Sequence, residues 1–252
     1  MNGLLLFPTL LESFMLSSCC VSLPLGSLQG NNLQDEGVRI LCVLLRDPDC
    51  KIAELELSRN GLTQGCTGDL VSALVSNPLI FSLSLNNNHL GDAGVLQLSG
   101  GLKDPDCGVE VIKLENNHLT VACTSELTAV LLMHPKIQSL MLNDNNLGDA
   151  GVKQLAAGIR NSRISKLGLG FNNLTDAAAE DLTSALCINC TIERLYLSGN
   201  SFTDQSVATF LILIETCTEL QRIWLGRNRL SAEGRSELLA VVDNSTDFKV
   251  IF

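Results

Sequence analysis

The stretch IQSLMLNDNNL, residues 137–147, decides the fold of this chain. It follows the pattern apolar-x-x-L-x-L-x-x-N-x-L, in which isoleucine or phenylalanine occasionally replaces a leucine. The pattern starts at seven positions spaced 27 to 29 residues apart: Ile52, Ile80, Val109, Ile137, Ile164, Ile192 and Leu220. Self-similarity this regular predicts a repeat protein in which every unit has the same structure.

The first half of each unit predicts a short strand that ends in a turn. Leucines two positions apart, such as Leu55 and Leu57, place both side chains on one face of a strand, and the residue between them faces the other way. The asparagine follows where the chain leaves the strand. Its amide both donates and accepts hydrogen bonds, so it can satisfy backbone groups that the turn leaves open. Eight asparagines are predicted to have this structural role: Asn31, Asn60, Asn88, Asn117, Asn145, Asn172, Asn200 and Asn228.

The second half of each unit has helical spacing. In the unit that starts at Ile137, Asp149 is placed to cap a helix start, and Val152, Leu155, Ala156 and Ile159 form an apolar stripe. Each unit is therefore predicted to be a strand, a turn and a helix. Stacked units would form a parallel sheet along one curved face and a layer of helices along the other.

These residues resemble the leucine-rich-repeat family, specifically its ribonuclease-inhibitor-like class with long units. That class alternates two unit types, seen here as LTQGC at 62–66 and LGDAGV at 90–95. The endings DPDC at 47–50 and 104–107 look like those in the repeat domains of NOD-like receptors, intracellular sensors that carry a NACHT module. The resemblance implies an α/β leucine-rich-repeat solenoid, a curved horseshoe arc with the sheet on the concave face and the helices on the convex face.

The ends of the chain depart from the repeat. Residues 1–22 are predicted to be an irregular amino-terminal cap or a truncated repeat, because a fair unit starts only 12 residues after the first partial one. Residues 23–247 are predicted to form the solenoid of about eight repeats, and residues 248–252 are predicted to form a carboxyl-terminal edge strand. The apolar run near Met1 is too short and interrupted to span a bilayer, and no Lys or Arg precedes it as in a signal peptide.

Composition limits the class of partner and the compartment. The chain is 46% hydrophobic and only 4% aromatic, and its net charge of −10 disfavours a nucleic-acid partner. Its ten cysteines are spread over a long chain, and several occupy equivalent repeat positions, so reduced core residues are expected. We therefore expect a cytoplasmic rather than secreted protein, with no membrane partner.

The sequence contains no recognisable catalytic constellation. No phosphate-binding GxxxxGK loop is present, and Cys187 and Cys190 form a lone C-x-x-C, which is weak support for zinc. We expect no enzyme activity, no cofactor, no metal and no small-molecule substrate. The nucleotide-binding module of the resembling receptors does not occur in this sequence.

The strand face that points away from the helices is the informative surface. Between the paired leucines stand Glu56, Ser84, Lys113, Met141, Gly168, Tyr196 and Trp224, so the face changes from acidic to aromatic along the chain. Residues 164–229 contain five Lys or Arg but seven Asp or Glu, so only the strand face of this segment is basic. Trp, Tyr and Arg dominate protein-binding hot spots. The predicted partner-binding residues are Lys166, Phe171, Arg194, Tyr196, Arg222, Trp224 and Arg227.

Two functions fit these features. The first is a protein-interaction module that binds a protein partner or a neighbouring receptor domain, which the resemblance places in cytosolic innate-immune sensing or its regulation. The second is a ribonuclease-inhibitor-like protein that caps a target enzyme, for which a secondary acidic patch is available: Glu54, Glu56, Glu115 and Asp144. A structural alternative for Trp224 is that it fills space beneath the terminal unit.

Overall fold

The computed structural model of the protein describes residues 26–242 and 248–252. The chain divides after Asn117 into two compact units, called here the first and the second unit. The predicted cap at 1–22 lies outside the described residues, as do residues 23–25.

The described part of the first unit contains four strands, three α-helices and one 3-10 turn. The strands are β1 (Gly26–Ser27), β2 (Glu54–Glu56), β3 (Ser82–Ser84) and β4 (Val111–Lys113). The helices are α1 (Gln34–Leu45), α2 (Thr67–Ser76) and α3 (Gly91–Leu102), with the 3-10 turn at Gln64–Cys66.

The described part of the second unit contains five strands, five α-helices and two 3-10 turns. The strands are β5 (Ser139–Met141), β6 (Lys166–Gly168), β7 (Arg194–Tyr196), β8 (Arg222–Trp224) and β9 (Lys249–Ile251). The helices are α4 (Thr124–Met133), α5 (Gly148–Arg160), α6 (Asp176–Asn189), α7 (Val207–Thr216) and α8 (Ala232–Ala240), with 3-10 turns at Val121–Cys123 and Asp204–Ser206.

Within each unit the strands follow chain order and neighbours pair in parallel. The register places equivalent repeat positions side by side, as in Leu55 with Leu83 and Leu167 with Leu195. These middle strand residues are at most 1% exposed, and they pack with the apolar stripes of the helices. Both units are built from repeats of strand, turn and helix, which confirms the predicted α/β leucine-rich-repeat fold.

The two repeat types start their helices differently. In repeats of the LTQGC type the helix is preceded by a 3-10 turn, in which the hydroxyl of Thr63 or Thr120 accepts a hydrogen bond from the N–H two residues later. In repeats of the LGDAGV type the helix begins directly at Gly91 or Gly148, and no side chain caps it.

The prediction that Asp149 caps a helix start is wrong. Helix α5 begins one residue earlier, and the Asp149 carboxylate instead accepts hydrogen bonds from the backbone N–H and the hydroxyl of Thr175, at 2.8 and 2.5 Å. Asp176 makes the same pair of contacts with Thr203. Hydrogen bonds from Ser231 lower the pKa of Asp204 below its ordinary value. These aspartates join consecutive repeats.

Candidate functional site

Two rows of side chains run across strands β6 to β9 on the face opposite the buried leucines. The strand register places Lys166, Arg194, Arg222 and Lys249 in line, and we call these four residues the basic row. Two positions further along each strand, the register aligns Gly168, Tyr196, Trp224 and Ile251. Alternate residues of a strand share a face, so both rows project from the same side of the sheet.

Tyr196 and Trp224 form an aromatic pair in the second of these rows. Their ring centroids are 4.1 Å apart and the planes differ by 13°, which is a stacked arrangement. Both side chains are half-buried, and Trp224 remains so although β9 pairs directly with its strand. The pair therefore offers exposed aromatic surface held in a fixed orientation.

Phe171 lies beside this pair in an unusual backbone conformation. Its φ is 53°, in the left-handed region that bulky residues rarely adopt, and its side chain is 40% exposed. The ring packs over Gly199, where an added Cβ would lie only 2.3 Å from the ring. The Arg227 guanidinium lies 5.9 Å from the ring centroid on a neighbouring turn. The first unit has Asn87 and Asn116 at the equivalent position, also at positive φ.

The basic row is not neutralised by the part of the chain that the structure describes. Within 26–242 and 248–252, none of these four cations forms an ion pair, whereas Arg39 of the first unit pairs with Glu36 and Asp69. The Nε atom of Arg194 is buried and has no hydrogen-bond partner among the described residues. Strands lie about 4.8 Å apart, so the row concentrates positive charge along a short line.

The predicted partner-binding residues are thus brought together, all in the second unit. Lys166, Arg194 and Arg222 form the basic row, Tyr196 and Trp224 form the aromatic pair, and Phe171 with Arg227 lies on the adjoining turns. Sequence reasoning missed Lys249, because the spacing of 28 residues from Leu220 to Phe248 aligns Val250 with Arg222, whereas the register of the sheet pairs Arg222 with Lys249, 27 residues later.

The predicted acidic patch is not brought together in the same way. Glu54 and Glu56 lie on β2, whereas Glu115 follows β4, so strand β3 separates them. The Glu56 carboxylate accepts a hydrogen bond from the Ser58 N–H, and Glu115 accepts one from the Asn86 amide. Asp144 belongs to the second unit and has a φ of 55°.

Seven of the eight turn asparagines bridge neighbouring repeats, whereas the Asn31 amide donates within its own repeat. Asn200 is representative: its Nδ2 donates to the carbonyls of Leu169 and Leu197, and its Oδ1 accepts from the N–H groups of Asn172 and Leu174, all at 2.9 to 3.1 Å. Asn60, Asn88, Asn117, Asn145, Asn172 and Asn200 are buried. Their contacts are with backbone groups, which suits a role in repeat stacking.

The described cysteines are all free thiols. Burial raises the pKa of Cys42 to about 12 and also raises the pKa of Cys66 and Cys217. The described residues contain no group of three or more His, Cys, Asp or Glu side chains arranged to hold a metal ion. Sequence reasoning treated Cys187 and Cys190 as a pair, but the Cys190 sulfur lies 3.2 Å from that of Cys217, which the sequence separates by one repeat.

Comparison with known proteins gives a consistent result. The family described as Leucine Rich repeat matches residues 76–99, 134–156 and 189–211. NACHT, LRR and PYD domains-containing protein 12 of Mus musculus is 41% identical over 174 residues, which cover 68% of this chain and 16% of that protein. NACHT, LRR and PYD domains-containing protein 3 of Homo sapiens is 37% identical over 186 residues, covering 73% and 18% respectively.

The chain therefore spans about a sixth of the length of these curated relatives. A solved structure of a Bacteroides fragilis protein is similar in fold, with a TM-score of 0.53 and 16% identity, over 86% of this chain and 59% of that one. Among residues 26–242, no helix has the length and apolar character required to cross a membrane.

The chain carries leucine-rich repeats and resembles the repeat domains of NACHT-LRR receptors, as the repeat pattern predicted.

Proposed function

We propose that this leucine-rich-repeat domain is a non-catalytic protein-interaction module that acts in cytosolic innate-immune sensing or its regulation. The similarity to NACHT-LRR proteins supports the process and the cytoplasmic location. The observation that carries the proposal is the face formed by the basic row, the aromatic pair, Phe171 and Arg227. We call it the basic-aromatic face.

Three properties of the basic-aromatic face favour binding over a packing role. The aromatic pair is stacked and half-exposed, so its rings are already ordered and lose little conformational entropy when a partner covers them. Phe171 places a 40% exposed ring at a turn position whose left-handed backbone is shared with Asn87 and Asn116, so the repeat frame does not require an aromatic side chain there. The residues belong to the types that dominate binding hot spots.

The charge of the face indicates the chemistry of its partner. Four cations stand in line, and within the described residues no carboxylate lies close enough to pair with them. A partner surface with carboxylates beside an apolar strip would complement both rows. The chain's net charge of −10 opposes a partner charged along its whole length, as a nucleic acid is, so we favour a protein whose acidic groups are confined to the contact patch.

A site-specific cross-linking experiment tests the face directly. A photoreactive amino acid at position 222 is expected to capture a protein from cytosol, whereas the same group at position 54 on β2 is the matched control. The captured protein is then purified, and its affinity is measured by titration calorimetry. Tyr196→Ala with Trp224→Ala should weaken binding by about 30-fold or more, which corresponds to about 2 kcal/mol.

The control variant is Glu54→Ala with Glu56→Ala, which should leave that affinity nearly unchanged. The thermal unfolding of both double variants is measured alongside. If the aromatic variant loses folding in parallel with binding, Tyr196 and Trp224 are structural residues and the proposal fails. Capture of RNA rather than protein at position 222 would also overturn it.

The ribonuclease-inhibitor-like alternative receives less support from the geometry. A basic enzyme would need a concentrated acidic surface, but β3 separates Glu54 and Glu56 from Glu115, and two of these carboxylates accept hydrogen bonds within their own unit. We expect no inhibition of a basic ribonuclease at micromolar concentrations of this protein. Measured inhibition that Glu54→Ala abolishes would reverse this preference.

A further inference from the structure

Two helices of consecutive repeats are each followed by a cysteine, and the sulfur atoms of the two cysteines are close together. Helix α6 ends at Asn189, and the next residue, Cys190, has a left-handed backbone with a φ of 46°. Helix α7 ends at Thr216 and is followed by Cys217, one repeat later. The two Sγ atoms are 3.2 Å apart.

A hydrogen bond to the preceding helix does not by itself require a cysteine at position 217. The Cys217 sulfur lies 3.6 Å from the Leu186 carbonyl of the preceding repeat. At the equivalent end of α2, the Asn77 side chain donates to the Leu45 carbonyl at 3.0 Å. Asparagine therefore makes the same contact in another repeat, with a stronger hydrogen bond than a thiol provides.

The two thiols differ in accessibility. Cys190 is half-buried, whereas Cys217 is 1% exposed. Burial raises the pKa of Cys217, so its thiolate is scarce and it is a poor first nucleophile. An oxidant from solution therefore meets Cys190 first, and Cys217 is in place to react second.

We propose that Cys190 and Cys217 are an oxidisable thiol pair that a hydroperoxide converts into a disulfide. The Cys190 thiolate attacks one peroxide oxygen and forms a sulfenic acid, and the peroxide O–O bond breaks with release of an alcohol, or of water from hydrogen peroxide. The Cys217 sulfur then attacks the Cys190 sulfur, the S–S bond forms, and the sulfenic oxygen leaves as water. Two thiols lose two electrons and two protons in total, and one peroxide is reduced.

Little movement is needed to form this bond. A disulfide has an S–S length of about 2.0 Å, so the two sulfurs must approach by about 1 Å. Both cysteines lie at helix ends, where the backbone adjusts more easily than within a helix. The product would link two consecutive repeats of the second unit covalently.

The other described cysteines provide internal comparisons. Cys42, Cys50, Cys66, Cys107 and Cys123 are buried, so peroxide has poor access to them. Cys187 is half-buried and close enough to contribute to the raised pKa of Cys217, which makes it the main competitor.

Peptide mapping of the full chain tests the pairing. The reduced protein is treated with hydrogen peroxide, free thiols are alkylated, and the digest is analysed by mass spectrometry without reduction. The expected product is a peptide that links Cys190 to Cys217 and disappears on reduction. Cys190→Ser should abolish it, and Cys187→Ser should retain it.

Cys217→Asn tests the loss of the thiol without the loss of the helix-end hydrogen bond, because Asn77 makes the equivalent hydrogen bond in another repeat. It should remove the cross-link while the melting temperature of the reduced protein stays close to that of the wild type. The pairing is overturned if peroxide leaves Cys190 and Cys217 open to alkylation, or if Cys187 forms the main cross-link. Conversion of Cys190 to the sulfinic acid without a cross-link would also overturn it.

Discussion

The strand faces of the two units carry opposite chemistry on the same repeat frame. In the first unit the strand-face rows begin with the half-buried Glu54 and Glu56, continue through the buried Ser82 and Ser84, and include a single cation among the described residues, Lys113. In the second unit the corresponding positions form the basic row and the aromatic pair. The buried leucines and asparagines are alike in both. The frame thus fixes where a side chain stands, and the residue between two leucines is free to determine what the surface binds.

The largest expected effect concerns the shared frame. Asn88→Ala in the first unit and Asn200→Ala in the second each remove a buried amide that donates to backbone carbonyls of its own and of the preceding repeat and accepts from two N–H groups of the preceding repeat. Each variant should lower the free energy of unfolding by about 3 kcal/mol, because buried backbone groups lose their partners. Urea unfolding followed by circular dichroism measures this. A loss below about 1 kcal/mol in only one unit would show that the frames are not equivalent.

A smaller effect separates the two units at glycines with left-handed backbones. Gly61→Ala in the first unit should cost about 1 kcal/mol, because the conformation is unfavourable but the nearest atom to the added Cβ is 3.9 Å away. Gly199→Ala should cost about 2 kcal/mol or more, since its Cβ would lie 2.3 Å from the Phe171 ring. Thermal unfolding compares the two variants.

The combination Gly199→Ala with Phe171→Asn is the control for that difference. Asparagine stands at the equivalent position in Asn87 and Asn116 and tolerates positive φ. The free energy of unfolding of the double variant should be about 1 kcal/mol below that of the wild type, as expected for Gly61→Ala. If it stays as unstable as Gly199→Ala alone, the Phe171 ring is not the cause of the extra cost.

The smallest effect tests whether the basic row is unpaired. Arg222 is exposed and stands between Arg194 and Lys249, so Arg222→Ser should raise the free energy of unfolding by about 0.5 kcal/mol at low salt through relief of like-charge repulsion. The gain should vanish near 1 M salt. Glu54→Ser, opposite the uncharged Ser82, should change little at either salt concentration. Destabilisation by Arg222→Ser would mean that its guanidinium has a stabilising partner.

Individual residues show how far sequence reasoning reaches. The middle strand residues Leu55, Leu140 and Leu195 are buried as the alternation predicts, because strand periodicity depends only on local backbone geometry. The alignment of Lys166 with Arg194 and Arg222 follows from the nearly constant repeat length, which sets the register of a parallel sheet. The partner-binding role of these residues remains a prediction for the cross-linking experiment.

Other features depend on contacts that no local pattern encodes. Asp149 has a helix-capping residue type at a helix start, but the carboxylate reaches Thr175 of the next repeat instead. Cys187 and Cys190 form a recognisable motif, yet the close sulfur contact is between Cys190 and Cys217. In both cases the competing partner lies one repeat away, so the contact that forms depends on how consecutive repeats stack.

The sequence by itself determined the repeat, the positions of its strands and helices, and the set of residues on the strand face, because a 27 to 29-residue period and a two-residue alternation leave little freedom to the backbone. The tertiary structure decided which of those residues touch. The stacking of Tyr196 on Trp224, the packing of Phe171 over Gly199 and the approach of the Cys190 and Cys217 sulfurs depend on side-chain rotamers and turn conformations in adjacent repeats. Those contacts arise only when two consecutive repeats are packed together, since each joins residues about 27 positions apart in the sequence.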